Sequence, residues 1–537
     1  MQVCPPAFWT PHIARVWRCP DDRRQVKVTK GNGITQSYIS TGQREGDVLK
    51  SKSLFRNSTF AADVLKILSG TAIAEILVVL TAPIVTRLYG PEAFGLSALL
   101  FALIGIIGVI ACLRYEFSIV LPQDDKVAAN LFAISLLSVC MIALLTGLIT
   151  VFGAYTIASM LRTPEIENYL WIVPVGVLFT GFFMALNYWN TRLRHFERLS
   201  TARVTNSVTT VGIQLGAGFL GYTFAGSLIG ALIFGLMASM TTLAIQTWKE
   251  SINLFFEAVS LDNILSGFKR YIKFPLFDTW SALLNNVSWQ LPLFLLAFYF
   301  SPVVVGLYSL GFVVLQTPFR LVGSAISQVF LQRASVAAKD GTLGPLTENM
   351  VIVLIKLGLL PMLLLSIVGA TLFSVFFGEQ WAEAGVYAQI LSMFIFVNFV
   401  SDPLHHLWVV LERQGFGLKF NVVNIITRLF ALMLGGILGD ARLAILLFAV
   451  TGIGTYSYVS YRITLFSGAR WKTIIRAILI GIIRFIPAGI FLIALQMTGV
   501  NQIVILLATG GILLMYGAYI YTKDPMIRNL PREIGLW

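Results

Sequence analysis

Charge is scarce in this chain. Only 12% of its 537 residues are Asp, Glu, Lys or Arg, against about 25% in an ordinary water-soluble protein. With 57% hydrophobic residues and a mean hydropathy of +0.80, a soluble globular fold is excluded. Cysteine is rare too: Cys4, Cys19, Cys112 and Cys140 show no paired spacing and two of them fall in apolar stretches, so neither a disulfide framework nor a metal site is expected. Histidine numbers four. Asp402, His405 and His406 form its densest cluster and fall short of the three or four convergent ligands zinc requires; a proton-sensitive relay or a packed interfacial pair are the two readings left. No apolar run of about 7–15 residues follows the early arginines, which argues against a signal peptide. The net charge of +13 has no basic soluble domain behind it, so nucleic acid is not an expected partner. In a polytopic chain such an excess belongs in loops facing anionic lipid.

What the chain has in abundance is long apolar runs. About fourteen windows reach the ~20 residues that a bilayer crossing demands: six between Val64 and Thr247, six between Pro275 and Phe466, then Ile474 to Met497 and Ile503 to Tyr521. The clearest lies within Arg87–Pro122, where a charged turn at Arg87, Gly90, Pro91 and Glu92 precedes an apolar run closed by Arg114, Tyr115 and Glu116. Its opening returns later: Pro91, Gly95 and Leu96 are echoed by Pro302, Gly306 and Leu307. The expected fold is therefore an all-α polytopic membrane protein of about 14 transmembrane helices, in two pseudo-symmetric six-helix lobes plus two C-terminal helices. The expected boundaries are a disordered cytoplasmic extension at 1–59, an N-lobe at 60–247, a cytoplasmic linker at 248–273, a C-lobe at 274–467, and two further helices with a tail at 468–537.

Lys and Arg alternate from connection to connection. One side holds Arg114, Arg192, Arg194, Arg198, Arg203, Lys269, Arg270, Lys273, Arg333, Arg413, Arg470 and Lys523 among others; the opposite side holds Arg87, Arg162 and Arg442. The positive-inside rule then places both termini in the cytoplasm. No connection on the sparse side is long, the largest running from Gly153 to Asn168, which leaves little material for catalysis outside the membrane. A membrane polysaccharide polymerase is disfavoured on that ground, and the chain is not expected to be an enzyme or to hold a cofactor.

The segments RLYGPEAFG, LRYEFSIVLP, RYIKFPLFDTWSALLNNVSWQLP and VVVGLYSLGFVVLQTPFRLVGSAISQVF resemble those of the polysaccharide biosynthesis, or Wzx-type oligosaccharide flippase, family, over nearly everything from about Phe60 to the last span. The resemblance implies the multidrug/oligosaccharidyl-lipid/polysaccharide exporter fold, with two lobes facing a central cavity. It implies transport of undecaprenyl-pyrophosphate-linked glycan across a bacterial inner membrane by alternating access, coupled to protons or sodium. Membrane lipids and polysaccharide assembly proteins are the other partners it implies. Alternatives on the same fold are a peptidoglycan lipid-precursor flippase and a multidrug cation antiporter.

A pyrophosphate headgroup needs a polar, cationic passage, so ionisable residues deep in spans are the candidates. Arg320, two residues after Pro318, is first, because a guanidinium offers phosphate a planar fork. Lys356 and Arg428 are further candidates for the substrate, and Asn285 and Asn286 for a polar layer. Glu75, whose position corresponds to Asn286 at the repeat offset, is read either as an ion-coupling group or as a structural partner of a neighbouring Arg or Asn. Asp278 and Asp402 are the other ion-coupling candidates. Deep cations match or outnumber deep acids, which favours an anionic cargo.

Overall fold

The computed structural model describes residues 58–411, 413–524 and 528. The disordered extension expected at the N-terminus lies, through residue 57, outside the described residues.

Fourteen long helices succeed one another among the described residues, labelled here in chain order. The first six are α1 (Ser58–Leu88), α2 (Pro91–Gly108), α3 (Asp125–Met160), α4 (Ile172–Arg192), α5 (Phe196–Phe219) and α6 (Ala225–Ala258). The next six are α7 (Thr279–Tyr299), α8 (Pro302–Ala337), α9 (Leu343–Phe377), α10 (Ala382–His405), α11 (Gln414–Ile437) and α12 (Ala441–Ser467), followed by α13 (Trp471–Met497) and α14 (Gln502–Lys523). No described residue is in a strand. Thirteen of the helices are long and apolar enough to cross a membrane. The exception is α5. It forms where a span was expected, but it begins eight residues before Val204 and its first half carries Glu197, Arg198, Ser200, Thr201 and Arg203.

The two sets of six repeat one packing plan. α4 packs on α2, α3 and α6, and α6 packs on α5; α10 packs on α8, α9 and α12, and α12 packs on α11. Polar and aromatic contacts tie the helices within each set. In the first half the amide of Asn190 donates to Thr247 at 2.9 Å, and in the second Ser401 lies 2.6 Å from Ser460. Trp189, fully buried, packs against Phe132 and Phe255; Phe394 packs against Phe448 and Tyr456. Between the halves runs a short amphipathic helix, Leu261–Arg270, then a π-turn at Phe274–Asp278 that leads into α7. α13 and α14 lie outside the two sets, against α9.

The halves meet chiefly through α2 and α8. There the two echoed glycines face each other: a Cβ on Gly95 would overlap the carbonyl oxygen of Pro302, and one on Gly306 would overlap that of Pro91. Only glycine permits main chains to approach this closely. Around this crossing, at the end where cations are few, the Trp381 indole and the Gln380 amide both donate to the Thr86 carbonyl, at 2.8 and 3.0 Å. Trp381 sits edge-on to Phe94, and Arg87 donates to the Val375 carbonyl at 2.8 Å.

Candidate functional site

α1 supplies the centre of the site. Thr71 and Glu75 are four residues apart, which puts both on one helical face. Two arginines from different halves converge on that face. Arg203 of α5 donates to the Thr71 hydroxyl, and Arg320 of α8 pairs with Glu75 at 2.6 Å. Glu75 lies 13 residues before the end of α1, about 20 Å along the axis at 1.5 Å per residue, so the pair sits deep within a hydrocarbon layer about 30 Å thick. The Arg320 side chain is nevertheless 57% accessible and that of Glu75 24%. Lipid tails would penalise a charge accessible at that depth by several kcal/mol, so the pair is expected to face a wet space. Between α1 and α5 lies an open cavity of about 460 Å³, lined by Gly70 and Ile73 of α1 and by Ser200, Thr201, Thr205 and Thr209 of α5, on a different side of α1 from Thr71 and Glu75.

The other candidate residues have different surroundings. On α7, Asn285 is exposed and Asn286 half-buried. Lys356 pairs with Asp524 and its carbonyl accepts from the Tyr516 hydroxyl at 2.8 Å, so it fastens α14 to α9 away from the face of α1. Arg428 is 1% exposed. It donates to the Ser288 carbonyl at 3.3 Å and the Tyr456 hydroxyl at 3.2 Å and lies over the Trp289 ring at 4.7 Å, joining α7, α11 and α12. Asp402 is exposed near the end of α10, and beside it His405 packs against Phe420 and Tyr456. No group of three metal-ligating side chains occurs among the described residues.

Removing one partner of the Lys356–Asp524 pair leaves the other charge poorly solvated. Lys356→Met is expected to lower stability by about 1–3 kcal/mol by loosening α14, read as a lower melting temperature in detergent than that of the parent chain.

Asp278 is held elsewhere. Its Oδ2 accepts from Arg114 Nε at 2.9 Å, across the junction between the halves at their cation-rich end. Arg114 Nη1 also lies 3.5 Å from Glu116 Oε1. Glu116 is fully buried and neither of its carboxylate oxygens has a hydrogen-bond partner. Burial pushes its pKa up to about 7, and its own backbone N–H and Arg114 offset only part of that. Arg203 and Glu116 are the site residues that sequence reasoning passed over, one as a loop cation and the other as a polar end. The signals were present: Arg203 heads a run of Ser, Thr and Asn too polar for a lipid-facing span, and Glu116 stands two residues from Arg114.

Comparison with known proteins adds a family and a fold. The family profile described as polysaccharide biosynthesis protein matches residues 84–386, more than half of the chain. Among solved structures, "Lipid II flippase MurJ, inward closed conformation" matches with a TM-score of 0.67 at 12% identity, covering 86% of this chain and 99% of that one. An inward-facing multidrug resistance MATE family transporter of the MOP superfamily matches with a TM-score of 0.51 at 15% identity, covering 75% of this chain and 96% of the other. At these identities the likeness is one of fold. No curated protein matches the chain.

Proposed function

Because the chain belongs to the polysaccharide biosynthesis protein family, we propose that it is a flippase. Its cargo in this reading is an undecaprenyl-pyrophosphate-linked oligosaccharide, carried across a bacterial inner membrane by ion-coupled alternating access of the two halves, with both termini in the cytoplasm. The observation that carries the reading is the Glu75–Arg320 pair. It joins the halves deep in the membrane, is accessible there, and has a second arginine, Arg203, one turn away on the same face of α1. A pyrophosphate entering there meets two guanidinium groups against a single carboxylate. That balance favours an anion over the organic cations an acidic cavity would select.

The chemistry of one cycle follows. Phosphate oxygens compete with Glu75 for Arg320, since both are planar-fork acceptors for a guanidinium. Binding of the headgroup therefore frees Glu75 and removes one tie between the halves. Asn285 and Asn286 on α7 offer amide donors and acceptors to sugar hydroxyls. Lys356 and Arg428, engaged with Asp524 and with Ser288 and Tyr456, serve packing in this reading.

The test is transport. Vesicles holding the purified chain should move a pyrophosphate-linked glycan between leaflets, scored by enzymatic trapping of the glycan on the far side; vesicles in which the glycan never changes leaflet would overturn the reading. Glu75→Gln keeps the shape but cannot form the ion pair. It is expected to weaken the dependence of transport on an imposed proton or sodium gradient by about tenfold; an unchanged dependence would remove Glu75 from coupling.

A further inference from the structure

The cluster at the cation-rich end presents a problem that the transport reading leaves open. Arg114 stands between two carboxylates on different halves: Asp278, at the head of α7, with a hydrogen bond of 2.9 Å, and Glu116, on its own segment, at 3.5 Å with no hydrogen bond. A single guanidinium cannot serve both well. Glu116 is fully buried, and burial disfavours an ionised carboxylate by more than its own backbone N–H and the nearby Arg114 offset. In the geometry seen, with Arg114 given to Asp278, the neutral acid of Glu116 is therefore favoured well above the usual carboxylate range.

We propose that Glu116 is a proton-binding site whose occupancy decides whether Arg114 ties the two halves together at Asp278. With the proton bound, Arg114 is free to bridge to Asp278 and the cation-rich end is linked. When the proton leaves, the buried carboxylate draws Arg114 to itself and the link to Asp278 weakens. No covalent step is involved; the proton exchanges with water through the accessible Arg114–Asp278 side, where Asp278 remains 46% accessible.

Competing charges near this segment are few. The 3₁₀ segment Tyr115–Val120 is covered by α3 and α4, and its Tyr115 hydroxyl donates to the Phe268 carbonyl of the amphipathic helix, whose cations Lys269 and Arg270 are exposed. From α4, Arg192 is already engaged, by Asp125 of α3 at 2.8 Å and by the Ile119 and Pro122 carbonyls. Tyr188 of α4 and Cys112 also sense Glu116, and the Cys112 thiol is pushed well up by burial and by that neighbour, so it stays neutral and supplies no counter-charge. Asp278 adds a second negative charge facing the group. Arg114 is thus the cation that stands beside Glu116 and acts on it. The elevated pKa of Glu116, about 7, places the exchange where cells operate.

This inference supplies a coupling ion to the reading above and rests on that reading only for the cargo. It is tested on the full chain in lipid nanodiscs, with no substrate present. Infrared difference spectra between about pH 5 and about pH 9 should show a protonated-carboxyl band that disappears with a midpoint near 7 and is missing in Glu116→Gln. In a chain whose native cysteines are replaced, spin labels at Lys126→Cys and Lys339→Cys report the gap between the halves at the cation-rich end. The gap should widen as pH rises through the same midpoint. Glu116→Gln should hold it narrow at both extremes, and Asp278→Asn, which keeps Glu116 intact, should hold it wide at both. A band that survives in Glu116→Gln, or a gap that ignores pH in the parent chain, overturns the proposal. A pH-driven gap in a chain that moves no glycan would instead overturn the cargo assignment and leave this site standing.

Discussion

Arg320→Ala is expected to cut translocation of a pyrophosphate-linked glycan by about 10- to 100-fold, the rate equivalent of losing a charge-assisted hydrogen bond worth about 1.5–3 kcal/mol. The loss should appear with normal amounts of protein in the membrane, because the Arg320 side chain is more than half accessible and no core is disturbed by truncating it. Arg320→Lys keeps a positive charge but loses the fork that matches two phosphate oxygens, so transport should be intermediate. The ordering alanine below lysine below arginine separates recognition of an anion from a purely structural tie to Glu75. If the tie alone mattered, Glu75→Gln and Arg320→Ala would have equal effects on transport rate. Both are read in the same vesicle assay at matched protein levels. Normal transport by Arg320→Ala would remove this residue from the site.

The second large effect is expected at the crossing of α2 and α8. Alanine at Gly95 places a methyl group on the carbonyl oxygen of Pro302, and alanine at Gly306 does the same to Pro91. The obstacle in each case is main chain, which cannot swing aside as a side chain would, so the helices must separate. Either substitution should hold the cation-poor end apart and bring transport close to zero. A cysteine at Thr86, fully buried in the parent fold, reports the change: it should resist a membrane-impermeant maleimide in the parent and react in Gly95→Ala. Protection that persists in both glycine variants would mean that α2 and α8 accommodate a methyl group and that the crossing is not what closes this end.

The parts of the molecule legible in the sequence are those on which the membrane imposes a local rule. A crossing must be about 20 apolar residues long, so the helices announce themselves one at a time, and the Pro and Gly echo between Arg87–Leu96 and its counterpart announced the duplication. The family resemblance rested on the same stretches. What stayed hidden were partnerships across sequence distance. Glu75 and Arg320 are 245 residues apart, Lys356 and Asp524 168, and Arg114 and Asp278 164. Glu75 and Asp278 are visible as charges in want of a partner, yet which partner depends on which helices become neighbours, and hydropathy says nothing of that. The apolar second half of α5 dominates its window and so reads as a span, while Arg203 in its polar first half reads as a loop cation. Glu116 looked like a boundary residue because such residues are usually wet; its burial comes from α3 and α4 folding over the segment, which only tertiary packing can show.

The crossing of α2 and α8 has one more consequence. Because that seam is composed of backbone atoms, its fit does not depend on what any neighbouring side chain recognises. Side chains elsewhere are thus at liberty to diverge while the seam is kept; related chains are expected to vary around it and to agree at Gly95 and Gly306.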